Sequence, residues 1–438
     1  MPEESEQNKI PTSKVERASR FLRTSVKVGG NYIKYAAKSV VAETHREELN
    51  RKNAEEVFNL LSQLKGSALK IAQMMSMDTG FLPREYVEKF AQAQSSAMAL
   101  SGPLVLNTFQ KYIGKSPYEL FDSFNLKAVH AASIGQVHEA YKDGKKLAVK
   151  MQYPGVADAI HSDINMVKPL AARLMGVPTK ALDYYAEEFE ARLIEECDYE
   201  LELANAESTA EACRNLTNII IPKYYKELSA KKIITMDWID AKPLQQFMDE
   251  ETDQQKKNII GQALIDFIFY LVHRVRRFHA DPHPGNFMVT DDMKLVVLDF
   301  GCMKSMPDSF YHNYFSLAKP EVQQNDARLR EVLKALDVLR DEDSEEEARL
   351  FYETAKVAID IITRPTQTEE FYFGDVEFTK ELNTKGQEIA ENKEFRKPSA
   401  LRGNKDAIYL HRTFFGMYSI LHNLKATVKV DKSFLEDI

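Results

Sequence analysis

The sequence predicts an α+β protein, helical at its start, mixed in its middle and helical again towards its end. Three observations carry this prediction. Apolar residues recur every three or four positions through residues 53–75. Two turn signals, Asp143-Gly144 and Asp291-Asp292, each sit between short β-forming runs. A 44% hydrophobic, 28% charged composition over 438 residues supplies enough apolar surface for a large core. That composition excludes a wholly disordered chain and a small scaffold that needs disulfide staples.

Residues 1–52 read as a basic arm, partly helical. Between Lys9 and Lys52 stand eleven basic and four acidic residues, a local charge of +7, so the remainder carries −15 of the net −8. Val15, Ala18, Phe21, Leu22 and Val26 recur at helical spacing among Arg17, Arg20, Arg23 and Lys27, until Gly29-Gly30 breaks the pattern. This is either a basic amphipathic helix, lying on an anionic membrane or docking on the body of the protein, or a solvated arm. Residues 53–115 read as further helices: Asn53 with Glu56 resembles a capping box. Val57, Leu61, Leu64, Ala68, Ile71 and Met75 then share a face, and Pro83 suits the first turn of a helix to about Ser95.

Residues 116–238 form the mixed region. Gln136–Lys142 and Lys146–Lys150 make a hairpin, a helical stretch continues to about Leu203, and Lys231–Ile239 is a strand. Residues 239–438 are mainly helical. Gln254–Phe278 is one helix, Gly285–Val289 and Leu295–Phe300 form the second hairpin, and Ser344–Ile362 opens on a Ser344/Glu347 capping box.

Several functional classes fall away. The acidic balance disfavours a general nucleic-acid binder. Cys197, Cys213 and Cys302 lie far apart, which argues against a disulfide framework and for a reducing compartment. The polar start MPEESEQNK fits no signal peptide. The most apolar stretch, Ala263–Val272, is about half the roughly 20 residues that span a bilayer. The expectation is a cytoplasmic protein, at most peripheral on a membrane.

The chemistry lies in an ordered set of charged residues. Kinase-type phosphoryl transfer needs a strand lysine for the α/β-phosphates and a helix glutamate to orient it. It also needs an aspartate beside the acceptor, then an asparagine and a second aspartate for Mg²⁺. Leu147-Ala148-Val149-Lys150 supplies the strand lysine, a weak signal alone. His279-Ala280-Asp281-Pro282-His283-Pro284-Gly285-Asn286 places Asp281 and Asn286 five residues apart, and Asp299-Phe300-Gly301 follows thirteen residues after Asn286. The hairpin then brings Asn286 and Asp299 together as oxygen donors suited to Mg²⁺. Zinc on the paired histidines is the rival reading, without a cysteine or HExxH partner. No GxGxxG precedes Lys150, where Ala131-Ala132-Ser133-Ile134-Gly135-Gln136 stands, and no APE follows Asp299-Phe300-Gly301. These absences argue against an ordinary protein kinase.

These segments, with Lys70-Ile71-Ala72-Gln73, Tyr153-Pro154-Gly155-Val156 and Glu196-Cys197-Asp198-Tyr199, resemble the UbiB (AarF) family of atypical kinases, ancillary ATPases of quinone biosynthesis. The resemblance covers about residues 53–425. It implies an atypical protein-kinase-like two-lobe fold with an N-terminal helical extension packed over the active site. It implies ATP (or ADP) and Mg²⁺ as cofactors, with Lys150, Asp281 and Glu202 catalytic and Asn286 and Asp299 on the metal. Ala131, Ala132, Ser133, Gln136, Lys150 and Met236 would contact nucleotide. Lys70 and Gln73 would meet Glu196 and Asp198 in a regulatory K-x-G-Q/E-x-D contact, although Ala72 replaces the glycine. Glu195 and Glu200 remain alternatives to Glu202. Quinone-pathway enzymes, prenylated quinone precursors and anionic lipid are the implied partners. An idle nucleotide-gated scaffold and a true protein kinase are the rival functions.

Overall fold

The computed structural model describes residues 19, 43–64, 67–68, 70–71, 84–90, 99–131, 134–175, 178–392, 402 and 405–438. All but Ser19 of the amphipathic pattern expected at 15–27, together with Gln73, Ala132 and Ser133, lies outside the described residues. The chain divides into two compact units, residues 1–204 with 223–238 and residues 205–222 with 239–438.

In the first unit, α1 (Glu43–Leu64) and α2 (Arg84–Phe90) precede α3 (Gly102–Tyr112). The capping box expected at Asn53 is a correction. α1 begins ten residues earlier, and Asn53 is a fully buried residue in its interior. Asn53 is packed inside the core, which a local pattern does not encode, and so does not act as a cap. The sheet follows: β1 (Ser123–Phe124), β2 (His130–Ala131), β3 (Gly135–Lys142), β4 (Lys145–Gln152) and β6 (Ile233–Asp237), with β5 (Ile219–Ile220) in the second unit. Strand order is β1-β3-β4-β6, and β2 also pairs with β3. The β3–β4 turn is the expected one: Asp143 and Gly144 both adopt positive φ, at 49° and 74°.

α4 (Val156–Met175), α5 (Asp183–Glu196) and α6 (Tyr199–Ala212) come next in the chain. The expected single helical stretch breaks at Cys197-Asp198, because the Asp198 carboxylate caps the new helix, accepting from the Glu200 and Leu201 N–H groups at 3.1 Å each. Val57, Leu61, Phe90, Phe109, Phe124, Val149 and Ile164 share one core, so α1 and α2 are built onto the sheet and α4.

The second unit holds β5, β7 (Lys242–Pro243), β9 (Phe287–Val289) and β10 (Leu295–Val297) in one sheet, ordered β5-β10-β9-β7. α7 (Leu244–Glu250) and α8 (Gln254–Tyr270) lead into a widened π turn at Leu271–Val275. The helix expected through Phe278 therefore ends early. Arg276 adopts a left-handed conformation, φ 59°, and residues 277–279 become β8, which pairs with β11 (Met303–Ser305). That partner lies over twenty residues away, beyond the reach of periodicity. α9 (Asp308–Ser316), α10 (Asp326–Ala335), α11 (Glu345–Thr363), α12 (Val376–Glu391) and α13 (Lys405–Leu424) complete the unit, with β12 (Glu370–Tyr372) paired to β13 (Thr427–Lys429). The Ser344/Glu347 capping box of α11 is present as expected. Among the described residues, no helix is long and apolar enough to cross a membrane, and the three cysteines are buried thiols.

Candidate active site

Within the first unit, the ladder fixes Lys150 between Val137 of β3 and Ile234 of β6. Its ammonium lies 2.8 and 3.0 Å from the two carboxylate oxygens of Glu202, with the Tyr199 ring 5.1 Å away. Glu202 is 1% exposed. Of the three glutamates left open by sequence, Glu202 is thus the one paired with Lys150. A carboxylate this enclosed needs its cation, and the cation in turn is held in one place.

β2 and β3 pair antiparallel, with Ala131 opposite Gln136. A side chain on Gly135 would put its Cβ 2.6 Å from the Met151 carbonyl oxygen, so only glycine lets β3 begin this close to β4. Gln136 departs from expectation. Its side chain is fully buried, its Oε1 accepts from the Leu100 N–H at 2.7 Å, and its Nε2 lies 2.8 Å from His138 Nε2. His138 Nδ1 faces the Asn125 carbonyl at 2.8 Å, so Nδ1 carries the proton and Nε2 accepts from Gln136. Burial holds this imidazole below its usual pKa, in the neutral form that the relay needs. Gln136 is therefore spent on Leu100 and His138 and is not presented to a ligand. Met236 is buried on β6 opposite Ala148.

Lys70 meets Glu196 at 2.7 Å, both side chains largely buried. Beside it, the Ser67 hydroxyl donates to the Asp163 carboxylate, in surroundings where both residues are buried. Gln152 Nε2 and Lys232 Nζ both donate to the Cys197 carbonyl, at 3.2 and 3.0 Å. Residues 196–202 thus run without a gap from the Lys70 ion pair, through the Asp198 cap, to the Lys150 partner.

Within the second unit, β9 and β10 pair in register Phe287↔Val297, and the Leu298 N–H donates to the Asn286 carbonyl at 3.0 Å. The hairpin therefore sets Asn286 beside the residue preceding Asp299. Asn286 Nδ2 donates to the Asp281 carbonyl at 2.8 Å, which turns its Oδ1 away from that contact. One Asp299 oxygen accepts from the Gly301 N–H at 3.0 Å.

His279 is the residue whose role sequence spacing missed. Its Nδ1 accepts from the Asp281 N–H at 3.1 Å, and its Nε2–H donates to the Asp299 carbonyl at 2.7 Å. One neutral imidazole, 1% exposed, clips the two motifs together. With both nitrogens engaged, His279 is not a zinc ligand, and among the described residues no group of three His, Cys, Asp or Glu side chains is placed to hold a metal. His283 Nδ1 accepts from the Gly285 N–H at 3.0 Å.

α13 braces this loop from the far end of the sequence. The Thr413 hydroxyl donates to the His279 carbonyl at 2.9 Å. A Cβ on Gly416 would lie 2.6 Å from Pro282 Cγ and 2.9 Å from its carbonyl oxygen. Gly416→Ala should therefore displace the loop, costing about 1–3 kcal/mol of stability and lowering phosphate release about tenfold. A thermal melt and a phosphate assay measure the two together; unchanged turnover would mean that the loop is not positioned by α13.

A family model described as the ABC1 atypical kinase-like domain matches residues 92–333, more than half of the chain. The zebrafish (Danio rerio) protein named atypical kinase COQ8B, mitochondrial, is 27% identical over 447 residues, spanning 99% of this chain and 70% of its own. The Caenorhabditis elegans atypical kinase coq-8, mitochondrial, is 27% identical over 397 residues, 89% of this chain but 51% of its own. Among solved structures, that of Rv3197 with erythromycin, from Mycobacterium tuberculosis, matches with TM-score 0.62 at 26% identity, covering 90% of this chain and 97% of that one. The fold is kinase-like. By its motifs, its fold and these matches, the chain belongs to the UbiB (AarF, ABC1) family of atypical kinases.

Proposed function

We propose that the chain binds ATP with Mg²⁺ and either hydrolyses it or passes its γ-phosphoryl group to a small acceptor, in support of quinone biosynthesis. The observation that carries this is the Lys150–Glu202 pair, an enclosed, doubly hydrogen-bonded lysine on strand β4. In this reading Lys150 neutralises α/β-phosphate charge while Glu202 fixes its rotamer. Ala131, Ala132 and Ser133 would meet the phosphates, as the family resemblance implies. Met236 contributes to the nucleotide surface.

The donor set at the second motif pair fits a hard cation: Asn286 offers Oδ1 once its Nδ2 is spent on Asp281, and Asp299 offers carboxylate oxygen. Bound there, Mg²⁺ would neutralise charge on the β- and γ-phosphates. Asp281 orients the attacking hydroxyl or water and takes its proton. His279 keeps Asp281 and Asp299 at fixed separation along the backbone. Lys70, with Glu196 and Asp198, tethers the helical extension and so regulates access; Gln73 joins that contact by resemblance. The basic arm at 17–38 is the proposed contact with anionic lipid. The link to quinone precursors and their enzymes rests on the likeness to the COQ8 relatives.

The test is Mg²⁺-dependent phosphate release from ATP, with Asp281→Asn as the discriminating variant. Turnover should fall about 10²–10⁴-fold while nucleotide affinity changes little. Equal loss of both would assign Asp281 to binding, and no release from the wild type, with or without anionic lipid, would favour an idle nucleotide-gated scaffold.

A further inference from the structure

In the second unit, the backbone around Asp299-Phe300-Gly301 is held at three carbonyl groups. His279 donates to the Asp299 carbonyl at 2.7 Å, Asn205 Nδ2 to the Phe300 carbonyl at 3.0 Å, and the Ala280 N–H to the Cys302 carbonyl at 2.8 Å. The Phe300 side chain is fully buried, its ring 6.4 Å from the His279 ring. Six residues separate Gly301 from α9, and three of them are β11, paired with β8. The run therefore has little slack.

Two of the three donors belong to the motif loop, but Asn205 comes from α6, 95 residues before Phe300. It stands three residues after Glu202 on that helix, and it is buried. Its amide has one allowed orientation. A carbonyl only accepts and a guanidinium only donates, so Nδ2 faces Phe300 while Oδ1 accepts from Arg277 Nη2 at 2.7 Å. Arg277, at the start of β8, also donates through Nη1 to the Ser208 hydroxyl at 2.8 Å, one turn further along α6. The guanidinium fixes the amide, and the amide fixes the Phe300 carbonyl.

In kinase sites the packing of this phenylalanine sets the active or inactive state. Turning the Phe300 peptide away from Asn205 would strand a carbonyl and an amide in the interior, and each such group is costly. We propose that Asn205 is a positioning residue for the cation site: it holds the Phe300 peptide in one orientation and so presents the Asp299 carboxylate to Mg²⁺ without a prior rearrangement. The inference rests on the reading of Asp299 as the metal ligand. Asn205 itself touches neither metal nor nucleotide in this account; it acts through the backbone of the next two residues, where the Gly301 N–H already holds one Asp299 oxygen at 3.0 Å.

The discriminating variant is Asn205→Asp, which keeps the shape and the acceptor for Arg277 but sets an oxygen against the Phe300 carbonyl. The Mg²⁺ concentration at which ATP gives half its thermal stabilisation of the full chain should rise about ten- to a hundredfold, the usual effect of altering a group that orients a metal ligand. ATP binding measured in EDTA should stay as in the wild type. In the ligand-free chain, hydrogen exchange over residues 299–305 should quicken about three- to tenfold, the worth of one hydrogen bond, while the β3–β4 hairpin exchanges as before. Arg277→Lys keeps a donor for the amide and should recover most of what Arg277→Met loses. Asn205→Ala, which removes the donor without adding charge, serves if the aspartate prevents folding. A folded variant with the wild-type Mg²⁺ requirement, or faster exchange throughout the chain with that requirement unchanged, would overturn the proposal and leave Asn205 a stabilising contact only. A wild type that gains nothing from Mg²⁺ would overturn the reading of Asp299 as the metal ligand, and this inference with it.

Discussion

Asp299→Asn should remove almost all of the stabilisation that ATP with Mg²⁺ gives the wild type. At nucleotide concentrations about a hundredfold above Kd, that stabilisation is about 2.7 kcal/mol, and it should be visible as a clear rise in melting temperature. Asparagine keeps an oxygen to accept from the Gly301 N–H, as Asp299 does at 3.0 Å, so the turn itself should persist and the ligand-free melt should barely move. What is lost is the negative charge that a hard cation needs beside polyphosphate. A variant whose melting temperature still rises with Mg²⁺ and ATP as in the wild type would remove Asp299 from the metal site.

Lys150→Arg should lower ATP hydrolysis about a hundredfold, the scale on which misplacing a reacting group by about 1 Å acts. The guanidinium keeps the charge that Glu202 requires but is longer and planar, so it cannot reproduce the compact contact of 2.8 and 3.0 Å to both carboxylate oxygens. The fold should survive, as circular dichroism would report. Lys150→Met behaves differently: it strands a carboxylate that is 1% exposed, at a cost of about 3–5 kcal/mol. If Lys150→Arg turns over normally, the pair is a structural feature of the sheet and not part of the chemistry.

Short-range order in the chain encodes its turns, its caps and the order of its motifs. Asp143-Gly144 and Asp291-Asp292 specify hairpins because turn chemistry and alternation act over a few residues, and the second hairpin sets Asn286 against the run ending at Asp299. The order Lys150, Asp281, Asn286, Asp299 is legible for the same reason: each lies in a motif whose spacing is local. The helix of Ser344 and Glu347 starts where its capping box says.

Contacts between distant segments set the remainder. Which glutamate pairs with Lys150 depends on how α6 lies against β4, and Glu195, Glu200 and Glu202 are chemically alike until burial separates them. Asn53 reads as a cap, yet it is buried inside a longer helix, because packing outweighs a weak local preference. Gln136 carries the composition of a ligand contact but bonds Leu100 and His138 instead. Residues 277–279 leave the helical pattern because a strand at 303–305 satisfies their backbone, over twenty residues later. His279, Thr413 and Gly416 position the loop through contacts up to 134 residues apart in sequence, and no periodicity spans that distance. Local propensities are worth tenths of a kcal/mol per residue, whereas a buried contact or an unsatisfied buried group is worth one or more. Wherever the two disagree in this chain, the contact made across the fold prevails.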